Sequence, residues 1–246
     1  MRNIKLILKF VGTDFHGWQI QKNGITVQEL ITETIKKVTG EKEISVIGCG
    51  RTDSGVHAEA YVANFMTESS IPAERFPYAL NVHLPDSVVC ISASDEKEDF
   101  HAGKSAISKK YTYSILNAPI RDPFMDPYVH FVKYPLDFEA MKKAAAFFVG
   151  THDFAGFASA GYSVKTTVRT IYSLEITKND NIIKIEVTGN GFLYNMVRII
   201  AGTLICVGNG RINADDIPEI IKSCKREKAG ITAPAKGLCL TEVYYE

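Results

Sequence analysis

The stretch Leu193-Tyr-Asn-Met-Val-Arg-Ile-Ile-Ala-Gly-Thr-Leu-Ile-Cys-Val207 decides the fold. As a helix it is apolar on nearly every side, and such a helix belongs in an interior, packed against a sheet. Extended back to Phe192, the run is interrupted by Asn195, Arg198 and Thr203 and falls short of the ~20 residues that a bilayer-spanning helix needs. Strands to receive it lie on both sides. Upstream, residues 170–177 and 182–188 read as a hairpin turning at Asn179-Asp180-Asn181, and 111–116 reads as a further strand. Residues 138–148 form a helical pattern ended by Gly150, 214–224 an amphipathic helix, and 238–244 a closing strand.

The first hundred residues follow the same grammar. Ile4, Leu6, Leu8 and Phe10 alternate with Lys5 and Lys9, as in a half-buried strand. Val27, Leu30, Ile31, Ile35 and Val38 recur at helical spacing, with Thr26 as N-cap, Glu29 completing a capping box and Gly40 stopping the run. Strands are predicted at 44–48, 60–66 and 88–92, a short helix after Pro72, and a connector over 100–109. The expected fold class is α+β: two lobes of similar topology, residues 1–103 and 104–246, each a mainly antiparallel sheet with helices on one face.

Composition narrows the function classes. Of 246 residues, 46% are hydrophobic and 23% charged, a balance that supports real cores and excludes fibrous or disordered chains. Cys49, Cys90, Cys206, Cys224 and Cys239 are odd in number, far apart and without a C-x-x-C pair, which opposes a disulfide framework and a structural zinc. Met1-Arg2-Asn3-Ile4-Lys5-Leu6 has no signal-peptide character, so a cytoplasmic protein is expected. Lys plus Arg equal Asp plus Glu at 28 each, so overall charge does not point to a nucleic acid, whereas local basic patches still can.

Chemistry concentrates in Gly48-Cys-Gly-Arg-Thr-Asp-Ser-Gly-Val-His-Ala58, three glycines around a charged core between two expected strands. Alone, Asp-Ser-Gly is an ordinary solvated turn. Arg51 and Asp53, two apart, project the same way if the segment is extended, and a carboxylate so placed can serve as a nucleophile. Arg198 is the second anomaly: it either snorkels to water or meets acceptors, and Asp53 is the partner to expect. That pairing would keep the carboxylate ionised. His57-Ala58-Glu59 matches half of the zinc deaminase signature, but no P-C-x-x-C accompanies it, which leaves His57 as a structural hydrogen-bonding residue. No phosphate-cradling glycine motif follows a strand. Lys104 to Tyr113 mixes cations with aromatics, read either as an RNA-contacting surface or as a guarded edge strand.

Taken together, these segments resemble the bacterial tRNA pseudouridine synthase A family. The resemblance runs through Gly12-Thr-Asp-Phe-His-Gly-Trp-Gln19, Gly50-Arg-Thr-Asp-Ser-Gly-Val-His57, Phe100-His-Ala, Lys110-Tyr-Thr-Tyr113, Gly150-Thr-His-Asp-Phe154, Gly189-Asn-Gly-Phe-Leu-Tyr-Asn-Met-Val-Arg198 and Thr232-Ala-Pro before Gly237-Leu238. Phe10-Val11 replaces the Tyr-Asp usual before Gly12, and Cys239 stands where an aromatic is common. The resemblance implies a basic active-site cleft between the lobes, a homodimer in which each tRNA touches both subunits, and no metal, organic cofactor, membrane or DNA. It implies Asp53 as nucleophile, Tyr111 stacked on the target uracil, Arg51 holding the site open for the flipped base, Arg198 paired with Asp53, and Leu238 lining the uracil pocket. The implied reaction isomerises uridine to pseudouridine in the 3′ part of the tRNA anticodon arm. Such an enzyme must unstack its base, at a cost of a few kcal/mol, and manage positive charge at the anomeric carbon, which suits an aromatic face, a cation and a carboxylate.

Overall fold

The computed structural model describes residues 1–161 and 164–245, which form two compact units. The first begins with β1 (Arg2–Phe10), where Ile4, Leu6, Leu8 and Phe10 are buried as their alternation demands. α1 (Val27–Thr39) follows; Thr26 Oγ1 accepts the Glu29 N–H, and Gly40 ends it in the left-handed region. Val27, Ile31 and Ile35, one face of that helix, are fully buried. β2 (Val46–Gly48), β3 (His57–Thr67), α2 (Phe76–Asn81) and β4 (Val88–Glu96) complete this stretch. β1 pairs antiparallel with both β3 and β4, and β2 lies antiparallel to β3. Buried Asn3 and Asn64 bond each other at 2.9 Å and hold the carbonyl of Phe100 and the N–H of Ala102, so the chain leaves this unit along a fixed path.

The second unit holds β5 (Ser108–Asn117), β6 (His130–Val132), α3 (Phe138–Ala146), β7 (Gly150–Asp153), β8 (Val168–Asn179), β9 (Ile182–Gly189), α4 (Met196–Gly208) and α5 (Ile217–Ser223). Its main strands run β5-β9-β8-β7, all antiparallel, with β6 parallel to the end of β5. The expected hairpin is β8–β9, turning through Asp180 at φ 50°. α4 packs on α3 and β5, and every residue in it except Arg198 is buried. The chain then returns to the first unit as β10 (Leu238–Tyr244), whose Cys239 and Leu240 pair parallel with His57 and Ala58.

The architecture is α+β with mixed, mostly antiparallel strand pairing. Its division differs from residues 1–103 and 104–246: the units are Met1–Ile107 with Cys239–Glu246, and Ser108–Leu238. The pairing of β10 with β3 draws the C-terminus back, an event that local sequence does not encode. α4 begins at Met196 instead of Leu193, because Asn195 takes φ 62° before the helix can start. The stretch 214–224 opens as a 3-10 turn, Ala214–Asp216, and becomes α5 only where Pro218 sits in the first turn. Gly150 does not cap α3; that helix ends at Ala146, and Gly150 opens β7.

α4 is tied to a later loop by one side chain. Thr203, fully buried, donates to Ile199 O at 2.7 Å and accepts the Gly230 N–H at 2.8 Å. Thr203→Val keeps the shape and strands the Gly230 N–H, so unfolding in urea should come about 1–3 kcal/mol more easily; an unchanged midpoint would refute the role.

Candidate functional site

In the first unit, the loop bearing Asp53 is sewn to the segment after β1 by backbone groups. Trp18 N–H donates to Thr52 O at 3.3 Å, and Phe15 O accepts from Gly55 N–H and Ser54 Oγ, both at 3.2 Å. His57 Nδ1 accepts the Gly12 N–H at 3.0 Å in a buried contact, the structural role expected of that histidine. Asp53 O accepts Val56 N–H at 3.2 Å, closing a four-residue turn whose third residue, Gly55, has φ 80°. Glycine, without a Cβ, takes that geometry at no steric cost.

The other flank is held from β3. Tyr61 donates its hydroxyl to Gly50 O and stacks on Trp18 with ring centroids 4.1 Å apart, while Cys49 N–H bonds Val62 O at 2.8 Å. Exposure alternates along the loop: Arg51 is exposed, Thr52 buried and Asp53 half-buried. Arg51 and Asp53 therefore share the side away from the core, as their spacing predicts. Among the described residues the Arg51 guanidinium has no hydrogen-bond or ion-pair partner.

The second unit carries Tyr111, Arg198 and Leu238. Tyr111 on β5 is nearly buried and meets the Phe192 ring edge-on at 5.3 Å. Arg198 neither snorkels freely nor relies on one partner: its Nε donates to Ala233 O at 2.8 Å and its Nη1 to Asn195 Oδ1 at 2.7 Å, while its own carbonyl accepts the Ala233 N–H. Tyr113 donates to Pro234 O at 2.9 Å, so arginine and tyrosine together hold the segment leading to buried Leu238. Burial pushes the Tyr113 phenol far up, opposed in part by the Arg198 charge, so it remains a donor.

The mixed basic and aromatic segment is accordingly divided. Tyr113 is core, and Lys110 pairs with Glu186 across the β5–β9 ladder at 2.8 Å. No cluster of three or more His, Cys, Asp or Glu side chains fit to hold a metal occurs among the described residues. The sequence reading did not anticipate that residues 12–18 are the frame of the Asp53 loop; their glycines were the available signal.

Comparison with known proteins matches these features to one family. A family model described as tRNA pseudouridine synthase matches residues 6–103 and 144–246. A tRNA pseudouridine synthase A of Thermoanaerobacter sp. (strain X514) is 53% identical over 245 residues, covering 100% of both chains. One from Acetivibrio thermocellus is likewise 53% identical over 245 residues, and a tRNA pseudouridine synthase A 2 of Clostridium perfringens is 50% identical, each again covering 100% of both chains. The chain belongs to the tRNA pseudouridine synthase family. Enzymes of this family are isomerases acting on tRNA uridines, and the chain spans the full length of these relatives.

In the frame of the Asp53 loop, the tightest constraint is Gly12. A Cβ there would stand 2.0 Å from Val56 O, a backbone atom that can yield only by moving the loop. Gly12→Ala should lower stability by about 1–3 kcal/mol and speed hydrogen exchange at Val56; wild-type unfolding and exchange would show that the approach is not tight.

Proposed function

We propose that the protein converts uridine to pseudouridine in the 3′ part of the tRNA anticodon arm, with Asp53 as the nucleophile. The observation that carries this reading is the mounting of Asp53: a half-buried carboxylate on a loop whose neighbouring backbone is bonded on both sides, next to an arginine without a partner among the described residues. A reacting group must be held before the substrate arrives, and backbone hydrogen bonds do so without competing for its oxygens. The uracil N1–C1′ bond breaks, the freed base rotates, and C5 bonds to C1′ while the C5 proton is lost and N1 gains one. The carboxylate stabilises or traps the positive charge that develops at C1′.

In this reading Tyr111 stacks on the target uracil, Arg51 helps hold the site open for the flipped base, Arg198 keeps Asp53 ionised, and Leu238 lines the uracil pocket. The protein acts as a cytoplasmic homodimer without metal or organic cofactor. Exposed Ile120, Phe124, Tyr128 and Tyr134 in the second unit support a self-association surface. No described helix is long and apolar enough to cross a membrane.

The test incubates purified protein and unmodified tRNA with no added metal or cofactor, then maps pseudouridine by chemical derivatisation and sequencing. Wild type should modify the anticodon arm. Asp53→Asn, nearly isosteric, should abolish turnover while retaining tRNA binding, and Tyr111→Leu should lose turnover by at least about 100-fold, in the range of a lost acid–base or positioning group. Normal tRNA binding with no pseudouridine on any tRNA would overturn the reading in favour of a non-catalytic RNA-binding protein.

A further inference from the structure

Beside the Asp53 loop, wholly within the first unit, lies an open cleft of about 310 Å³, near the lower end of the range for small-molecule sites. Its walls are Trp18, Gln19, Gln28, Ser45 and Arg51 with the backbone of β2, and none of its lining residues is acidic. Gln28 is its fixed post: Oε1 accepts from Ile20 N–H at 3.0 Å and from Gln19 Nε2 at 2.9 Å, and Nε2 donates to Val46 O at 2.8 Å. Gln19 Oε1, the Ser45 hydroxyl and the Arg51 guanidinium make no hydrogen bond among the described residues, and all three side chains are exposed.

We propose that this cleft receives the nucleotide adjoining the target uridine in the RNA strand, its phosphate on Arg51 and its sugar or base edge on Gln19 and Ser45. The proposal rests on the pseudouridine synthase reading. Arg51 and Asp53 are two residues apart, so their Cα atoms stand at most about 7 Å apart. An RNA strand that presents one nucleotide to Asp53 then has an adjoining nucleotide within reach of Arg51. A guanidinium on a wall without carboxylates is suited to phosphate, and open amide and hydroxyl groups are suited to ribose hydroxyls and base edges. The Trp18 indole, 2% exposed and stacked on Tyr61, forms floor and not platform, so recognition here is polar.

Trp18 is the chain's sole tryptophan, which makes the cleft self-reporting. Titrating full-length protein with an anticodon stem-loop RNA should change Trp18 fluorescence saturably. Ser45→Glu and Gln19→Glu, each placing a carboxylate at an exposed wall position, should raise KM for tRNA and the RNA dissociation constant roughly tenfold, about 1.4 kcal/mol, with kcat and thermal unfolding unchanged. Unchanged KM and RNA affinity in both variants, with wild type making pseudouridine, would overturn the proposal. So would inorganic phosphate alone reproducing the full Trp18 response at the RNA's affinity, which would make the cleft a simple anion site. If the carboxylates weaken RNA binding but wild type makes no pseudouridine, the cleft stands as an RNA site and the catalytic reading falls.

Discussion

Two lengths of backbone, residues 12–18 and 52–57, lie so close that a Cβ at Gly12 or Gly17 would meet the backbone of Val56 or Thr52, and the placement of Asp53 depends on that closeness. Bonds to Thr52 O, from Gly55 N–H and Ser54 Oγ, and from Gly12 N–H to His57 Nδ1 replace the side-chain packing that would otherwise fix a loop. Individually such bonds are worth about 0.5–1.5 kcal/mol net. Their importance is geometric: they engage Thr52, Ser54, Gly55 and His57 around Asp53 and restrict the carboxylate chiefly to its own χ rotations. α1 reinforces the frame from behind, since Val27 N–H bonds Gly17 O and Gln28 N–H bonds Trp18 O.

The second unit reaches rigidity by burial. α4 tolerates one charge in an otherwise buried helix because Arg198 directs its guanidinium along the helix start, to a carbonyl and an amide oxygen that are both fixed. The bond from Arg198 to Ala233 O and that from Tyr113 to Pro234 O act on consecutive carbonyls, so the approach to Leu238 is held at two points. A charge that looks costly in the sequence thus anchors a segment distant in the chain.

What could be read in the sequence divides along physical lines. The alternation in β1, the cap and stop of α1 and the turn of the β8–β9 hairpin are local, and all were legible. β6 and β7, of three and four residues, are too short to show a period, and the parallel seat of β10 on β3 joins residues remote in sequence. In the site, Asp53 and Arg51 stood out because a charged core between glycines is poor packing material. Gln28 did not: it reads as the polar side of an amphipathic helix, and only the fold shows its carboxamide holding Ile20 and Val46.

Charge shows the same contrast between total and arrangement. A net charge of zero is a total and leaves open how the charges are arranged on the surface. Lys36, Lys110, Lys143 and Lys236 are each matched by a carboxylate within 2.8 Å, Glu33, Glu186, Asp215 and Asp126 respectively, and such pairs present little field beyond their own radius. Arg51 has no such match among the described residues. Ion pairing therefore quiets these four lysines and leaves Arg51 untouched. A phosphate meeting Arg51 would have no ion pair among the described residues to break, and the salt dependence of RNA binding would then report that contact.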